Sequence, residues 1–314
     1  MKKRWKTLLG ILGLFLVIPY ILPVSSRTQI NQPFDNSEWI EIEGVSIHTR
    51  VFQSESMIEG KKILLIHGLG GSTFSFRHNI TALVQEGYTV VAVDLPAFGF
   101  SDRNPKLISS QENRAIWLWG VLDHIDGRIE NDDPWVIMGH SMGASVAIAM
   151  EEKNSTSVKG LIFIDGAVVE RRRQSSWANI GYFQRILQVA LHHFLIKPKA
   201  IESFLTSAYG RVPTQMEIDG YLLPLTIQST PVALSKFVST ATSKTIDDIV
   251  NRDIFIGVLW GEEDAWIPVS TVEMIDHSFP QTHTVIFEGE GHCPNETAET
   301  FNDELINMLR KLSD

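Results

Sequence analysis

The sequence predicts an α/β fold with a mostly parallel central sheet flanked by helices. Three observations carry this: short, continuous apolar runs recur along the chain, amphipathic segments separate them, and the chemically suggestive residues fall where the apolar runs end. Continuous apolar runs are what strands need when helices cover both faces of their sheet. In such sheets, reactive groups collect outside the carboxyl ends of the strands.

The elements follow in order. Residues 39–43 and 45–52 alternate around Gly44 and read as a hairpin. Residues 62–66 read as a buried strand, 76–86 as a helix stopped at Gly87, and 89–93 as the next strand. A helix over 113–125, a strand over 135–138 and another over 158–164 continue the alternation. From about Ala167 to Val250 it stops, and segments 181–195, 199–209, 214–222 and a stretch around 232–240 read as helices. Strands resume at 254–260 and 283–287, and a helix over 298–312 closes the chain.

Composition fits this picture and narrows the function. A chain of 314 residues with 44% hydrophobic and 20% charged residues builds a sizeable core. Net charge is -10, and the first 26 residues hold Lys2, Lys3, Arg4 and Lys6 and no acids, which leaves -14 on the remainder. A phosphate backbone is repelled by that surface, so nucleic acid is not an expected partner. Arg171, Arg172 and Arg173 form a local basic patch that reads as a solvated loop or helix end. The single cysteine, Cys293, excludes an internal disulfide and reads as a buried bystander thiol. The histidines, the pair His192 and His193 included, lack ligand spacing with a carboxylate, so neither metal nor cofactor is expected.

At the amino terminus, the basic cluster precedes an uncharged stretch, residues 7–26, whose core from Leu8 to Val24 is almost wholly apolar. Residues 1–26 read as an uncleaved membrane anchor or as a cleaved signal sequence with Val24-Ser25-Ser26 at the cut. The basic flank stays in the cytoplasm under the positive-inside rule, which places the remaining chain on the outer face, single-pass at the cell membrane or secreted after cleavage. Asn79, Asn154 and Asn295 stand in glycosylation sequons.

The most specific pattern is the apolar run into Gly139-His140-Ser141-Met142-Gly143, followed at once by a helix-compatible segment. A serine between glycines lets a strand turn sharply into a helix, thrusting the hydroxyl above the sheet. The helix that starts there aims its amides and positive dipole end at the same point. Upstream, the strand over 62–66 runs into His67-Gly68-Leu69-Gly70-Gly71. Downstream, Asp264 follows Gly261-Glu262-Glu263 and His292 follows Gly289-Glu290-Gly291, each just after an apolar strand. The loop Asp94-Leu95-Pro96-Ala97-Phe98-Gly99-Phe100-Ser101 is a further marker.

These motifs, in this order over roughly residues 39–312, resemble the α/β-hydrolase superfamily, in the branch with an HG-x-x-G loop and a G-x-S-x-G elbow. The resemblance implies a core formed by 39–166 and 251–314, with 167–250 a helical cap inserted after the sixth strand. It assigns Ser141 as nucleophile, His292 as the base that takes its proton, and Asp264 as the acid that orients the imidazole. The backbone N–H groups of Leu69 and Met142 would form the oxyanion hole. Asp165, after the preceding strand, occupies a position that some relatives use for the acid. His67 is expected to order its loop, and His140 to pack or bond near its own strand end. Ala97 stands where the family loop has glycine, so the backbone there is expected to avoid positive φ.

A serine nucleophile implies an acyl-serine intermediate and disfavours the relatives that attack with aspartate. The expected substrate is a small-molecule or lipid carboxylic ester with an apolar acyl group. Amide or carbon–carbon bond hydrolysis is an alternative. From another class, the chain could be a membrane-anchored binding or signalling protein on the same scaffold. The cap residues Tyr182, Phe183, Ile186, Leu187, Leu191, Phe194 and Phe204 are candidates to line the substrate pocket or to pack the cap. Gly68, Gly70 and Gly71 resemble a phosphate loop only superficially, because the P-loop lysine is missing. Nothing in the chain fixes its oligomeric state.

Overall fold

The computed structural model describes residues 17–24, 30, 32–53, 61–170 and 180–313. Most of the expected amino-terminal anchor and the Arg171–Arg173 patch lie outside them. Residues 17–21 are helical (α1). Among the described residues, no helix is long and apolar enough to cross a membrane.

Eight strands form one sheet in the order β1-β2-β4-β3-β5-β6-β7-β8. β1 (Ser37–Ile42) and β2 (Val45–Phe52) make the antiparallel hairpin, turned through Glu43 and Gly44, both at positive φ. β2 joins β4 (Thr89–Val93) antiparallel, and every later pairing is parallel. The centre is built from β3 (Lys62–Ile66), β5 (Trp135–His140), β6 (Val158–Ile164) and β7 (Phe255–Gly261), with β8 (His283–Phe287) at the edge. β3, β4 and β5 are buried at every residue, as their unbroken apolar runs require.

Alternate residues of each strand feed two cores. On one face, Leu64, Ile66, Val91 and Ile137 pack with α3 (Gln111–Ile129) and α4 (Met142–Lys153). On the other, Ile63, Leu65, Val136 and Ile162 pack with α2 (Ile80–Gln85) and α11 (Phe301–Ser313). Between β6 and β7 lie α5 (Gly181–Ala190), a π-helical turn over Leu191–Leu195, α6 (Pro198–Tyr209), α7 (Gln215–Leu225) and α8 (Thr230–Thr240). A capping box between Thr214 and Glu217 starts α7, and Pro231 opens α8 where no intrahelical N–H is needed. α9 (Thr271–Ser278) and the short α10 (Pro294–Thr297) complete the chain.

Several expectations change. The helix expected over 76–86 is a 3-10 turn, Thr73–Phe76, followed by α2. Asn79 divides them: it is fully buried, and its side chain donates to the Asn295 carbonyl and to Asn302, fixing a turn where a continuous helix would run. The run over 181–195 changes from α to π geometry at Leu191. Asn79 and Asn295 are buried and hydrogen-bonded in the folded chain, so only Asn154 of the three sequons is exposed for a glycan.

Ala97 overturns the expectation of negative φ: its φ is 78°. The loop around it is pinned, with Ala97 N–H donating to the Asp102 carbonyl (2.8 Å) and Phe98 N–H to that of Leu95 (2.9 Å). The Asp94 carboxylate accepts from the Phe100 N–H (2.7 Å), from Thr73 N–H (2.6 Å) and from His48 (2.7 Å). These bonds set the turn, and alanine tolerates its strain.

Candidate active site

The strand-to-helix turn at Ser141 rests on backbone contacts too close for side chains. A Cβ on Gly139 would meet the Ala144 nitrogen at 2.4 Å, and one on Gly143 would meet the Ile66 carbonyl oxygen at 2.3 Å. Ser141 itself sits at φ 51°, ψ -117°, a conformation costing roughly 1–3 kcal/mol. Three bonds hold it there: its N–H to Ile164 O (2.8 Å), and its carbonyl from Ala167 N–H (3.0 Å) and Ala144 N–H (3.1 Å). The sheet thus fixes the serine at the carboxyl end of β5, at the start of α4.

His292 and Asp264 come from the ends of β8 and β7. The Asp264 carboxylate accepts from His292 Nδ1 at 2.7 Å with one oxygen, and from the N–H groups of Trp266 (2.7 Å) and Ile267 (3.0 Å) with the other. Burial opposes its charge, but the hydrogen bond and charge of His292 and the two N–H donors outweigh it and hold its carboxyl below the usual range. With Nδ1 committed to Asp264, His292 Nε2 is buried and without a hydrogen-bond partner among the described residues. Ser141 and His292 line one small cavity together with Gly68, Leu69, Tyr221 and Trp266. The structure therefore gathers all three side chains into one place, with no direct bond drawn between Ser141 and His292.

Leu69 and Met142 flank the same point: Leu69 lies in the loop after β3, and Met142 is the first residue of α4. Neither backbone N–H has an acceptor among the described residues, as the start of a helix dictates for Met142. The Leu69 loop is held by His67, whose Nδ1–H donates to Gly68 O (2.7 Å) while Nε2 accepts from Leu95 N–H (3.0 Å). That pairing fixes a neutral imidazole, and burial lowers its pKa in the same sense.

His140 differs from expectation. It bonds across the site, Nε2–H donating to the carbonyl of His292 at 2.8 Å, and so steadies the loop that presents the other ring. Burial, then the neighbouring His292, pushes its pKa down to about 3, which keeps it neutral. Cys293 is buried beside it, and burial pushes the thiol up, away from the thiolate.

Asp165, the competing acid, is wholly buried and accepts from Gly261 N–H (3.0 Å). Burial, then the charge of Asp264, raises its pKa well above the carboxylate range. Asp165, Asp264 and His292 are the one set of three clustered metal-ligating side chains among the described residues. Its donor set does not suit a cation, because the imidazole is bonded to Asp264 through Nδ1–H and Asp165 favours its proton.

The sequence did not reveal how the α5–α8 region is fastened beside the serine. Buried Glu296 accepts from Tyr209 (2.8 Å), from Tyr221 and from Arg77, while the Tyr221 hydroxyl bonds Ser75 at 2.9 Å. Arg77 and Arg211 both pair with Glu217. Side chains this far apart in the chain carry no local signal. Beyond the small cavity lies a second of about 360 Å³, lined by Leu187, Leu191, Phe98, Leu225 and Phe237 among others. Leu69, Phe204 and Tyr221 line both. Of the proposed lining residues, Leu187, Leu191 and Phe204 are there, whereas Tyr182, Phe183, Ile186 and Phe194 are not.

A strained serine at a strand–helix elbow, an imidazole and a buried carboxylate on successive strand ends define an α/β-hydrolase site. The model of the alpha/beta hydrolase family matches residues 63–304, and the chain belongs to that family; it is an enzyme, a hydrolase. It is 24% identical over 305 residues to Lipase 1 of Psychrobacter immobilis, covering 90% of each chain. It is 25% identical over 286 residues to a 2-hydroxy-6-oxononadienedioate/2-hydroxy-6-oxononatrienedioate hydrolase of Cupriavidus pinatubonensis, covering 87% of this chain and 95% of that one. Among solved structures, it is similar to a membrane phospholipase A described as a bacterial virulence factor, with a TM-score of 0.67, 19% identity and complete coverage of both chains.

Proposed function

We propose that the chain is a serine hydrolase that cleaves carboxylic esters of apolar acyl groups through an acyl-serine intermediate. The observation that carries this is the adjacency of two cavities: the small one lined by Ser141 and His292 shares Leu69, Phe204 and Tyr221 with an apolar one of about 360 Å³. A cavity of that size and lining suits an acyl chain.

In this reading Ser141 Oγ attacks the ester carbonyl as His292 Nε2 takes its proton. Asp264 holds the ring in the Nδ1–H tautomer and stabilises the imidazolium. The tetrahedral oxyanion is met by the Leu69 and Met142 N–H groups. Collapse breaks the C–O bond, His292 returns the proton to the leaving alkoxide, and water then releases the acid by the same steps in reverse order. Asp165 stays out of the charge relay as a neutral carboxylic acid.

The lipase relative supports an ester substrate. The dioate hydrolase relative raises carbon–carbon cleavage, but a dicarboxylate calls for cationic groups, and the lining of the large cavity has none. We also propose that residues 1–26 anchor the chain with the hydrolase outside the cytoplasm, from the basic flank and apolar stretch of the sequence.

A fluorophosphonate probe tests the core of the proposal. The full chain in detergent should label, label no longer as Ser141→Ala, and hydrolyse p-nitrophenyl esters. A folded wild type that neither labels nor turns over esters would overturn the serine-ester reading.

A further inference from the structure

The helical run over 180–195 carries three features at once. First, the end of the apolar amino-terminal stretch is fastened to it. Arg185 Nε donates to Pro19 O (2.8 Å), Arg185 Nη2 to Leu22 O (2.7 Å) and His193 Nε2–H to Pro23 O (2.9 Å), with the Tyr20 and Tyr182 rings 6.3 Å apart. The described end of that stretch, residues 17–24, therefore lies against this part of the fold.

Second, the same run exposes large apolar side chains. Phe194 is 70% exposed, and Ile180, Phe183 and Leu195 are exposed too, as is Ile21 (72%) of the amino-terminal piece. Ile180, Phe183, Leu187 and Leu191 follow one another at helical spacing and share a stripe. The first two face solvent, the next two line the large cavity, and half-exposed Leu195 lines it as well. The cavity rim and the exposed band are continuous.

Third, the charge is of the opposite sign to the rest of the chain. Residues 171–201 contain no Asp or Glu but hold Arg171, Arg172, Arg173, Arg185, Lys197 and Lys199, in a protein of net charge -10. Among the described residues, Arg185, Lys197 and Lys199 stand in the same stretch as the exposed aromatic and aliphatic side chains, a combination that matches an anionic lipid surface.

We propose that the run over 180–195 docks on an anionic bilayer, so that a fatty-acyl ester resident in the leaflet passes its chain directly into the apolar cavity. The substrate class is then a membrane glycerolipid. The ester C–O bond is cleaved with addition of water, releasing a fatty acid and the lipid alcohol. The catalytic half of this inference rests on the serine-hydrolase reading; the docking half does not.

The test uses the full chain reconstituted in vesicles of phosphatidylcholine and phosphatidylglycerol. An environment-sensitive fluorophore is placed at Phe183→Cys, at Phe194→Cys and, as control, at Met274→Cys, an exposed site on α9. Cys293 is buried and does not compete for the label. Blue-shifted emission quenched by doxyl-labelled lipids at 183 and 194, and not at 274, is the expected result. Emission at 183 and 194 as water-like as at 274, or equal quenching at all three, overturns the docking.

Substrate entry is read separately with the Phe183→Ser/Phe194→Ser variant. Turnover of vesicle-embedded phospholipid should fall by about ten-fold or more, since two apolar side chains no longer enter the bilayer. Soluble p-nitrophenyl butyrate should be cleaved as before. An equal fall on both substrates, or none on either, overturns entry from the leaflet. Lipid quenching at 183 and 194 without fluorophosphonate labelling would sustain the docking while removing the serine-hydrolase reading.

Discussion

Asp165 and Asp264, at the ends of adjacent strands β6 and β7, bring their carboxyl oxygens within 4.8 Å of each other and of a His292 ring nitrogen. Two carboxyl groups buried so close cannot both carry charge. Their surroundings decide which does: Asp264 has the imidazole and two backbone N–H donors, and Asp165 has one N–H donor and an oxygen without a partner. The sequence favoured Asp264 as the acid over Asp165, and the hydrogen bonds favour the same residue.

A pH signature follows for Asp165. Its folded pKa is raised, so the folded chain holds a proton that the unfolded chain has released above about pH 3.9. Through the window between those two values the folded state binds more protons, and stability falls as pH rises. Asp165→Asn replaces the protonated acid by a neutral amide of the same shape. Its urea stability relative to wild type should therefore increase from pH 5 upward, with ester turnover retained. A difference that stays flat with pH would count against a protonated Asp165.

Asp264→Asn should have the contrary effect on activity. The amide oxygen can still accept from Trp266 and Ile267, so the fold survives, but an amide N–H facing His292 selects the wrong tautomer. Turnover should drop by about 10⁴-fold, while the circular dichroism spectrum and fluorophosphonate-free stability stay close to wild type. Near wild-type turnover would move the acid to Asp165.

Legibility followed the range of the interactions. Unbroken apolar runs such as 62–66 and 158–164 gave the strands, because burial on both faces leaves its mark residue by residue. Glycines 139 and 143 marked the elbow because close backbone approach leaves no alternative residue. The Glu296, Tyr209, Tyr221 and Arg77 cluster was invisible, since its members are brought together only by the finished fold. Ala97 misled for a related reason: local preference argued for negative φ, and bonds from Asp102 and the Asp94 carboxylate prevailed.

That conflict is measurable. A left-handed alanine costs about 1–2 kcal/mol, whereas glycine gives back roughly 0.5–1 kcal/mol through its freer unfolded chain. Ala97→Gly should therefore stabilise the protein by about 0.5–1 kcal/mol in urea titration. A loss of stability would show that the Ala97 methyl, which is buried, contributes more by packing than its backbone loses.

Glu296 should be costly to remove. It is buried between Arg77, Tyr209 and Tyr221, and the Arg77 side chain is only 12% exposed. Glu296→Ala leaves that guanidinium short of its main counter-charge, a loss of about 3–5 kcal/mol. The α6 and α7 ends should loosen with it, seen as faster amide exchange around Tyr209 and Tyr221. Unchanged exchange there would mean that apolar packing alone fastens these helices.

Acyl-chain preference should answer to the large cavity. Each methylene taken into it from water is worth about 0.8 kcal/mol, or roughly four-fold in kcat/KM, so a series of p-nitrophenyl esters should rise steadily until the chain meets the far wall. Leu191→Trp takes space from that cavity, which Leu191 lines. The series should then turn over at a shorter acyl chain, with butyrate turnover kept, because the small cavity around Ser141 is not lined by Leu191. Overpacking will cost about 1–3 kcal/mol of stability, which leaves the chain-length profile readable below the unfolding transition. A profile that keeps its wild-type optimum would show that the acyl group lies elsewhere, and the reading of the two adjacent cavities as one substrate channel would fail.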